Sequence, residues 1–290
     1  MMLTKSQTSS NVSASLVSRV MLGQVWAYIF TCMMLVFTLF PIYWVFTLSI
    51  KSELDGMAIE PMFIFQPTFE HYLKLADKTV FMESFGNSIW ITIIATLLSL
   101  SIAIPAAYAL SRIQKSPRKL VGLWLLLAYM LPEFLFVIPM YTFYQTVGLY
   151  DTHFGVALLY QAHVLPFSIW MLRSFFDEVP KAIEEAALME GCSRLRVLLS
   201  IYVPVALPGI IATAILNGIW IWNELAIALG LTFSEAQTVT VGITSFRGYA
   251  SFDWGGMTAA SICAITPMLL AAIFAQKHIV KGMTLGAVKG

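Results

Sequence analysis

Charge is scarce in this chain. Only 11% of its 290 residues are Asp, Glu, Lys or Arg, against 59% in the hydrophobic set. A soluble domain carries about 25% charged residues, so the polar side chains are too few to coat a water-borne globule. The signature of disorder, low hydrophobicity with high net charge, is absent as well. The net charge is +1, and nothing forms the basic stripe that a nucleic-acid partner requires. Cysteine is nearly missing. Cys32, Cys192 and Cys263 are scattered, none in a Cys-x-x-Cys pair, which argues against a disulfide frame and a zinc site and leaves them as small apolar fillers. Catalytic signatures are missing too. The four histidines, His71, His153, His163 and His278, lie far apart. There is no His-Glu-x-x-His, no Gly-x-Ser-x-Gly and no Gly-x4-Gly-Lys-Ser/Thr phosphate loop. The chain is expected to be a non-enzyme that binds no metal, no ATP and no other cofactor.

What the chain has in abundance is long apolar runs. A membrane-spanning helix needs roughly 20 mostly apolar residues, and six stretches qualify: 24–50, 85–111, 120–143, 154–176, 205–229 and 256–276. Proline lies in or beside each of them (Pro41, Pro105, Pro132 with Pro139, Pro166, Pro208, Pro267). In a membrane bundle neighbouring helices can satisfy the carbonyls that proline frees. The reading is an all-α integral membrane protein with six transmembrane helices. The polar, Ser-rich segment 1–23 precedes a first span that is too long for a signal peptide. The membrane domain covers 24–277, and 278–290 form a tail.

The charges are sorted by location. Thirteen of the 17 basic residues fall in the N-terminal segment, the second-to-third and fourth-to-fifth loops and the tail, leaving Lys51, Lys74, Lys78 and Arg247 on the other side. That other side holds Glu53, Asp55, Glu60, Glu70, Asp77 and Glu83. Positive charge marks the cytoplasmic side, so both termini are expected in the cytoplasm.

One cytoplasmic loop, 177–204, is unlike the rest. Pro180 suits the start of a helix, and Glu184 and Glu185 sit where the helix dipole favours acids. Ile183, Ala187, Gly191, Leu195 and Leu199 recur by four, which predicts one helical face. Ala186, Ala187 and Gly191 would let that face approach a protein surface closely. A helix lying on the inner leaflet is the alternative, but such helices prefer bulky anchors and a Lys-rich face.

At these residues the chain resembles the permease subunits of bacterial ABC importers. Glu185-Ala186-Ala187, Gly191, Ile201 and Pro204 match the EAA motif of that family in spacing, with Val203 and Glu190 standing where Leu and Asp are usual. The segment 87–112, the Trp222-Asn223-Glu224 triplet and the tail 281–290 are similar to the smaller, "G"-type permease of maltose-type carbohydrate importers. The resemblance implies the MetI-like importer permease fold in a bacterial cytoplasmic membrane. It also implies a second, different permease, two copies of an ATPase that holds ATP and Mg, and an extracytoplasmic sugar-binding protein. It gives Glu185, Ala186, Ala187, Gly191, Ile201 and Pro204 to ATPase coupling. Phe246, Arg247 and Tyr249, in an outer loop with Gly248, Gly255 and Gly256, become receptor-contact candidates, against an interfacial aromatic belt as the plainer alternative.

Glu133 and Glu224 stand inside apolar runs, where a charge costs about 2.5–3.5 kcal/mol on insertion scales and normally faces a cavity or a partner. Glu224, Asn223 and Trp220 are therefore translocation-path candidates, although Glu224 could equally be a polar residue near the outer end of its span. Glu133, following Pro132, is either a path residue or a solvated bend. His163 reads better as a packed side chain than as a proton relay. The solute is expected to be a carbohydrate, with a glycerol phosphodiester, polyol or polyamine as the alternative. A membrane transferase would need an acid–base constellation, and a channel would have no use for the docking helix.

Overall fold

A computed structural model describes the backbone of residues 5–113, 115–247 and 252–285, and the side chains of 23–113, 118–247 and 252–274. The described residues form α1 (Lys5–Ser49), α2 (Glu53–Gly56), α3 (Glu70–Asp77), α4 (Thr79–Arg112), α5 (Lys115–Tyr129), α6 (Phe134–Val147) and α7 (His153–Glu178). They continue through α8 (Lys181–Met189), α9 (Arg194–Val197), a π-helical turn (Leu198–Tyr202), α10 (Val203–Val205), α11 (Leu207–Asn223), α12 (Ala226–Leu231), α13 (Val239–Thr244) and α14 (Trp254–Leu285). Among these residues the only β pairing is an isolated bridge between Arg247 and Phe252.

Four helices, α1, α4, α7 and α14, are each long and apolar enough to cross a membrane. Two further spans are bent. α5 and α6 meet at 84°, and the 194–205 segment meets α11 at 78°, giving six spans when each pair counts once. The first bend falls on Leu131-Pro132-Glu133. Proline disfavours helical backbone in the residue before it, and the chain leaves the helix there. The second falls at Ala206, between Pro204 and Pro208, whose missing N–H groups interrupt the ladder.

Helices and expected spans do not all coincide. The first span holds, with Gly23–Ser49 long and apolar enough to cross a membrane, and its helix runs back beyond it to Lys5. It meets no proline until Pro41. The fifth span is not continuous from 205 to 229, because α11 ends at Asn223 and a new helix starts at Ala226. The last helix continues into the tail as far as Leu285, and 286–290 lie outside the described residues.

α4 packs along α7 as the central pair, and α11 lies against α4, α7 and α14. Between Phe81 and Tyr108 the buried positions of α4 are Ser84, Ser88, Ile91, Ala95, Ser99, Ala103 and Ala107, a seam of mostly small residues three or four apart. Small side chains let membrane helices approach closely where no hydrophobic gradient drives them together. The same logic appears at Gly209 on α11, where a Cβ would sit 2.5 Å from the Phe175 ring of α7. By contrast, the apolar residues of α1 from Trp26 to Phe40 are mostly exposed, as expected of a face turned to lipid.

Candidate coupling helix and solute cavity

α8 follows directly on Pro180, whose extended ψ of 131° leaves Lys181 as the first helical residue. Its third turn ends on Gly191. The Gly191 N–H donates to the Leu188 carbonyl at 3.0 Å and the Cys192 N–H to the Ala187 carbonyl at 3.1 Å. Gly191 has φ +84°. This is the Schellman termination, in which a left-handed glycine closes a helix. The expected face running through Ala187, Gly191, Leu195 and Leu199 is therefore broken. Gly191 is a helix stop, and a Cβ there would meet nothing within 4 Å.

The two adjacent glutamates of α8 have opposite fates. Glu185 is exposed, together with Ala186, Leu188, Met189 and Glu190. Glu184 is 8% exposed. Its carboxylate accepts the Tyr108 hydroxyl at 2.6 Å and the Tyr202 hydroxyl at 2.9 Å, and it pairs with Arg112. Tyr108 and Arg112 lie one turn apart at the end of α4. Tyr202 closes the π-helical turn and packs edge-on against Tyr108 at 4.9 Å and against Phe176 at 5.6 Å. The Arg112 guanidinium lies 4.7 Å over the Tyr202 ring. α8 is thus fastened to α4 and to the segment that leads into α11, which Tyr202 in turn packs against Phe176 of α7, while the rest of its surface stays open. Ala187 and Ile201 are half-buried against the same apolar cluster. Pro204 is exposed at the bend.

Farther along the bundle, the two bent spans bound a cavity of about 650 Å³. The residues that stood as separate path candidates in the sequence meet there, Glu133, Trp220, Asn223 and Glu224, and they are joined by Tyr129 and by His163, which the sequence suggested only as a packed side chain. His163 stacks on Trp220 with ring centroids 4.1 Å apart and planes 9° from parallel, and Tyr129 lies 4.5 Å from His163. The His163 Nδ1 is 3.6 Å from a Glu133 oxygen. Asn223 is exposed, and its amide donates to the Ile219 carbonyl. Glu224 explains the interruption of the fifth span. Its two oxygens accept the Ile227 and Ala228 N–H groups at 2.7 and 3.1 Å, so the carboxylate caps α12 and satisfies two helix-terminal donors. Trp222 points the other way, donating its indole N–H to the Ala264 carbonyl of α14 at 3.0 Å.

A buried polar knot adjoins the cavity, with Asn217 in the cavity lining. The Asn217 amide donates to Ser168 at 2.7 Å and to Ser99 at 3.3 Å, tying α11 to α7 and α4. Sequence reading passed over this asparagine, though an Asn inside an apolar run is a signal of a helix–helix hydrogen bond.

The far end of the bundle is organised by Asp151, another residue no motif singled out. It stands at φ 55° between α6 and α7. Its carboxylate accepts the N–H groups of Phe233, Ser234, Glu235 and Ala236 at 2.9–3.1 Å. Burial acts to raise its pKa, and the four backbone donors overcome that effect, so the carboxyl sits below the usual aspartate value. Asn87 fastens the same loop, donating to the Glu235 and Gln237 carbonyls and accepting from His153.

Of the three receptor-contact candidates, Phe246 is a core residue. It is 4% exposed and packs with Phe81, Val239 and Ala260, with the Lys78 ammonium 3.9 Å above its ring. The charge rule placed this segment outside but could not show which way the ring turned. Arg247 is exposed and lies over Phe252, and Tyr249 falls outside the described residues.

Residues 99–285, which include α8, the bends and the cavity, match the family model described as the binding-protein-dependent transport system inner membrane component. The chain belongs to this family. The permease is 35% identical to the trehalose/maltose transport system permease protein MalG of Thermococcus litoralis, over 89% of its own length and 94% of that protein's. It is 32% identical to the diacetylchitobiose uptake system permease protein DasC of Streptomyces coelicolor, over 94% and 99%. A bacterial ABC transporter that imports the acidic polysaccharide alginate shares its fold, with a TM-score of 0.71 at 23% identity over 92% and 97%. The inward-facing methionine importer MetNI aligns with a TM-score of 0.57 at 15% identity over 70% and 96%. The permease therefore has the ABC importer permease fold of a multi-pass membrane subunit.

Proposed function

We propose that this permease is one of two different membrane subunits of a carbohydrate importer, and that it forms one wall of the solute path. Two copies of a separate ATPase, carrying ATP and Mg, drive the path. An extracytoplasmic sugar-binding protein delivers the solute to the outer face, where Arg247 and Tyr249 contact it. Both termini are cytoplasmic. The exposed side of α8, with Glu185, Ala186 and the surface beyond Ala187, docks in the ATPase. The Gly191 stop and the bend after Ile201 and Pro204 set the angle at which the helix leaves the bundle.

The observation that carries this reading is the convergence of Tyr129, His163, Trp220, Asn223 and two glutamates on one cavity at the breaks of two spans. Aromatic plates beside carboxylates and amides suit a polyhydroxylated solute: the apolar faces of a sugar ring lie on the aromatics and its hydroxyls donate to the acids. The sugar-transport roles of the relatives support the same substrate class.

The test is uptake of labelled trehalose, maltose or diacetylchitobiose by cells expressing the complete system, with and without Trp220→Ala. Loss of uptake with the complex still co-purifying supports the path role. Unchanged uptake of a sugar that the system carries would remove Trp220 from the path.

A further inference from the structure

The cavity between the bent spans carries charge of one sign. Glu133 and Glu224 line it, and among the lining residues there is no Lys or Arg. His163 is the one side chain in the wall able to take up a positive charge, and it is stacked on Trp220. Most of the remaining wall is apolar, with Val164, Phe167, Leu216 and Leu225. Fixed charges in a narrow, apolar-walled space are screened far less than on a surface. An anion entering here would lose its hydration and find carboxylates with no fixed cation beside them in this wall, whereas a neutral hydroxyl could donate to the same oxygens.

We propose that the cavity is a charge filter: it admits uncharged saccharides and turns away anionic ones, such as uronates, sulfonated sugars and phosphodiesters. The proposal rests on the reading of this cavity as part of the path. It makes the solute class a property of the wall residues and not of the fold, since a transporter of the same fold imports an acidic polysaccharide. Glu133 is the residue expected to set the field, because its side chain is 31% exposed, whereas Glu224 is 5% exposed and turns both oxygens to the backbone donors of α12.

The test reads the sign of the field with charged thiol reagents. Asn223→Cys is placed in a chain carrying Cys32→Ser, Cys192→Ser and Cys263→Ser, assembled with its partner subunits in membrane vesicles. Leu225→Cys serves as a second position. Rates are measured for a cationic (trimethylammonium) and an anionic (sulfonate) methanethiosulfonate, with and without nucleotide, relative to their rates on a free thiol in solution. The filter predicts a cation preference of about tenfold after that correction, the lower end of the range for focused fields, and a fall toward unity on adding Glu133→Gln. Equal rates, or an anion preference, overturn the filter while leaving the cavity open to solutes. A cation preference that ignores Glu133→Gln overturns the assignment to that residue. A thiol that reacts with neither reagent in either nucleotide state overturns the path reading itself, and the filter with it.

Discussion

Replacing Glu184 is the sharpest perturbation of the coupling region. Its side chain and that of Arg112 are only 10% and 18% exposed, and two tyrosine hydroxyls donate to the same carboxylate. Removing one partner of a buried ion pair costs about 3–5 kcal/mol, and each hydrogen bond to a charged group contributes about 1.5–3. Some solvent reaches the pair, and water can enter the space left behind. We therefore expect Glu184→Ala to weaken the attachment of α8 to α4 and to the π-helical turn by about 2–4 kcal/mol. At about 1.4 kcal/mol per decade, the midpoint is roughly a hundredfold shift in that docking equilibrium. Glu184→Gln keeps an acceptor for one tyrosine and loses the ion pair, so its effect falls between Ala and the parent. Tyr108→Phe removes a single hydrogen bond and serves as the mild member of the series. The assay is the ratio of solute imported to ATP hydrolysed in the reconstituted complex, with co-purification of the ATPase measured alongside. The ratio should fall in the order parent, Tyr108→Phe, Glu184→Gln, Glu184→Ala. A ratio unchanged in Glu184→Ala, with the protein at normal abundance, would refute the idea that this cluster joins α8 to the spans.

Gly191 should tolerate Asn better than Ala or Leu, because φ +84° costs an ordinary side chain about 1–2 kcal/mol while Cβ space is open; coupling ratios that rank by side-chain size instead would place the constraint in the docking surface. Trp220→Phe should retain most uptake and Trp220→Ala should lose at least tenfold, since an aromatic stacking contact contributes about 0.5–1.5 kcal/mol beyond buried area; equal loss in both would point to folding. Asp151 has a carboxyl depressed below its unfolded value, so its stabilisation of the 233–236 loop is complete above about pH 4 and is lost as pH falls through the folded value. Protection of those four amides, taken as exchange relative to the intrinsic rate at each pH, should fall below about pH 4 in the parent and be low throughout in Asp151→Ala, and a pH-independent difference in protection between parent and variant would contradict the linkage.

Much of the architecture is legible in the sequence because apolar length acts locally. The six spans and the position of α8 follow from runs of residues and from the motif spacing. The details that hold the site do not, since they depend on partners far away along the chain. Glu184 and Glu185 are chemically identical neighbours, and only the fold decides that one faces Tyr108, 76 residues distant. A Tyr and an Arg one turn apart at the end of α4 were a usable signal that an acid had to meet them. Glu224 reads as a costly charge within a span, whereas its carboxylate ends one helix and caps the next. Gly191 reads as a small contact residue because spacing by four continues past it, and its positive φ is visible only in three dimensions. Asp151 and Phe246 sit in loops, where nothing in local pattern distinguishes a buried anchor from an exposed side chain.

The central claim is that α8 presents its open face to an ATPase while Glu184 holds its other face to the spans. Met189, 87% exposed, is the most direct reporter. In a chain carrying Cys32→Ser, Cys192→Ser and Cys263→Ser, Met189→Cys should cross-link through a short thiol-reactive linker to the ATPase that co-purifies with the permease, and the yield should change with the nucleotide bound. Capture of lipid or of no partner at all, in a complex that still hydrolyses ATP, would contradict the account.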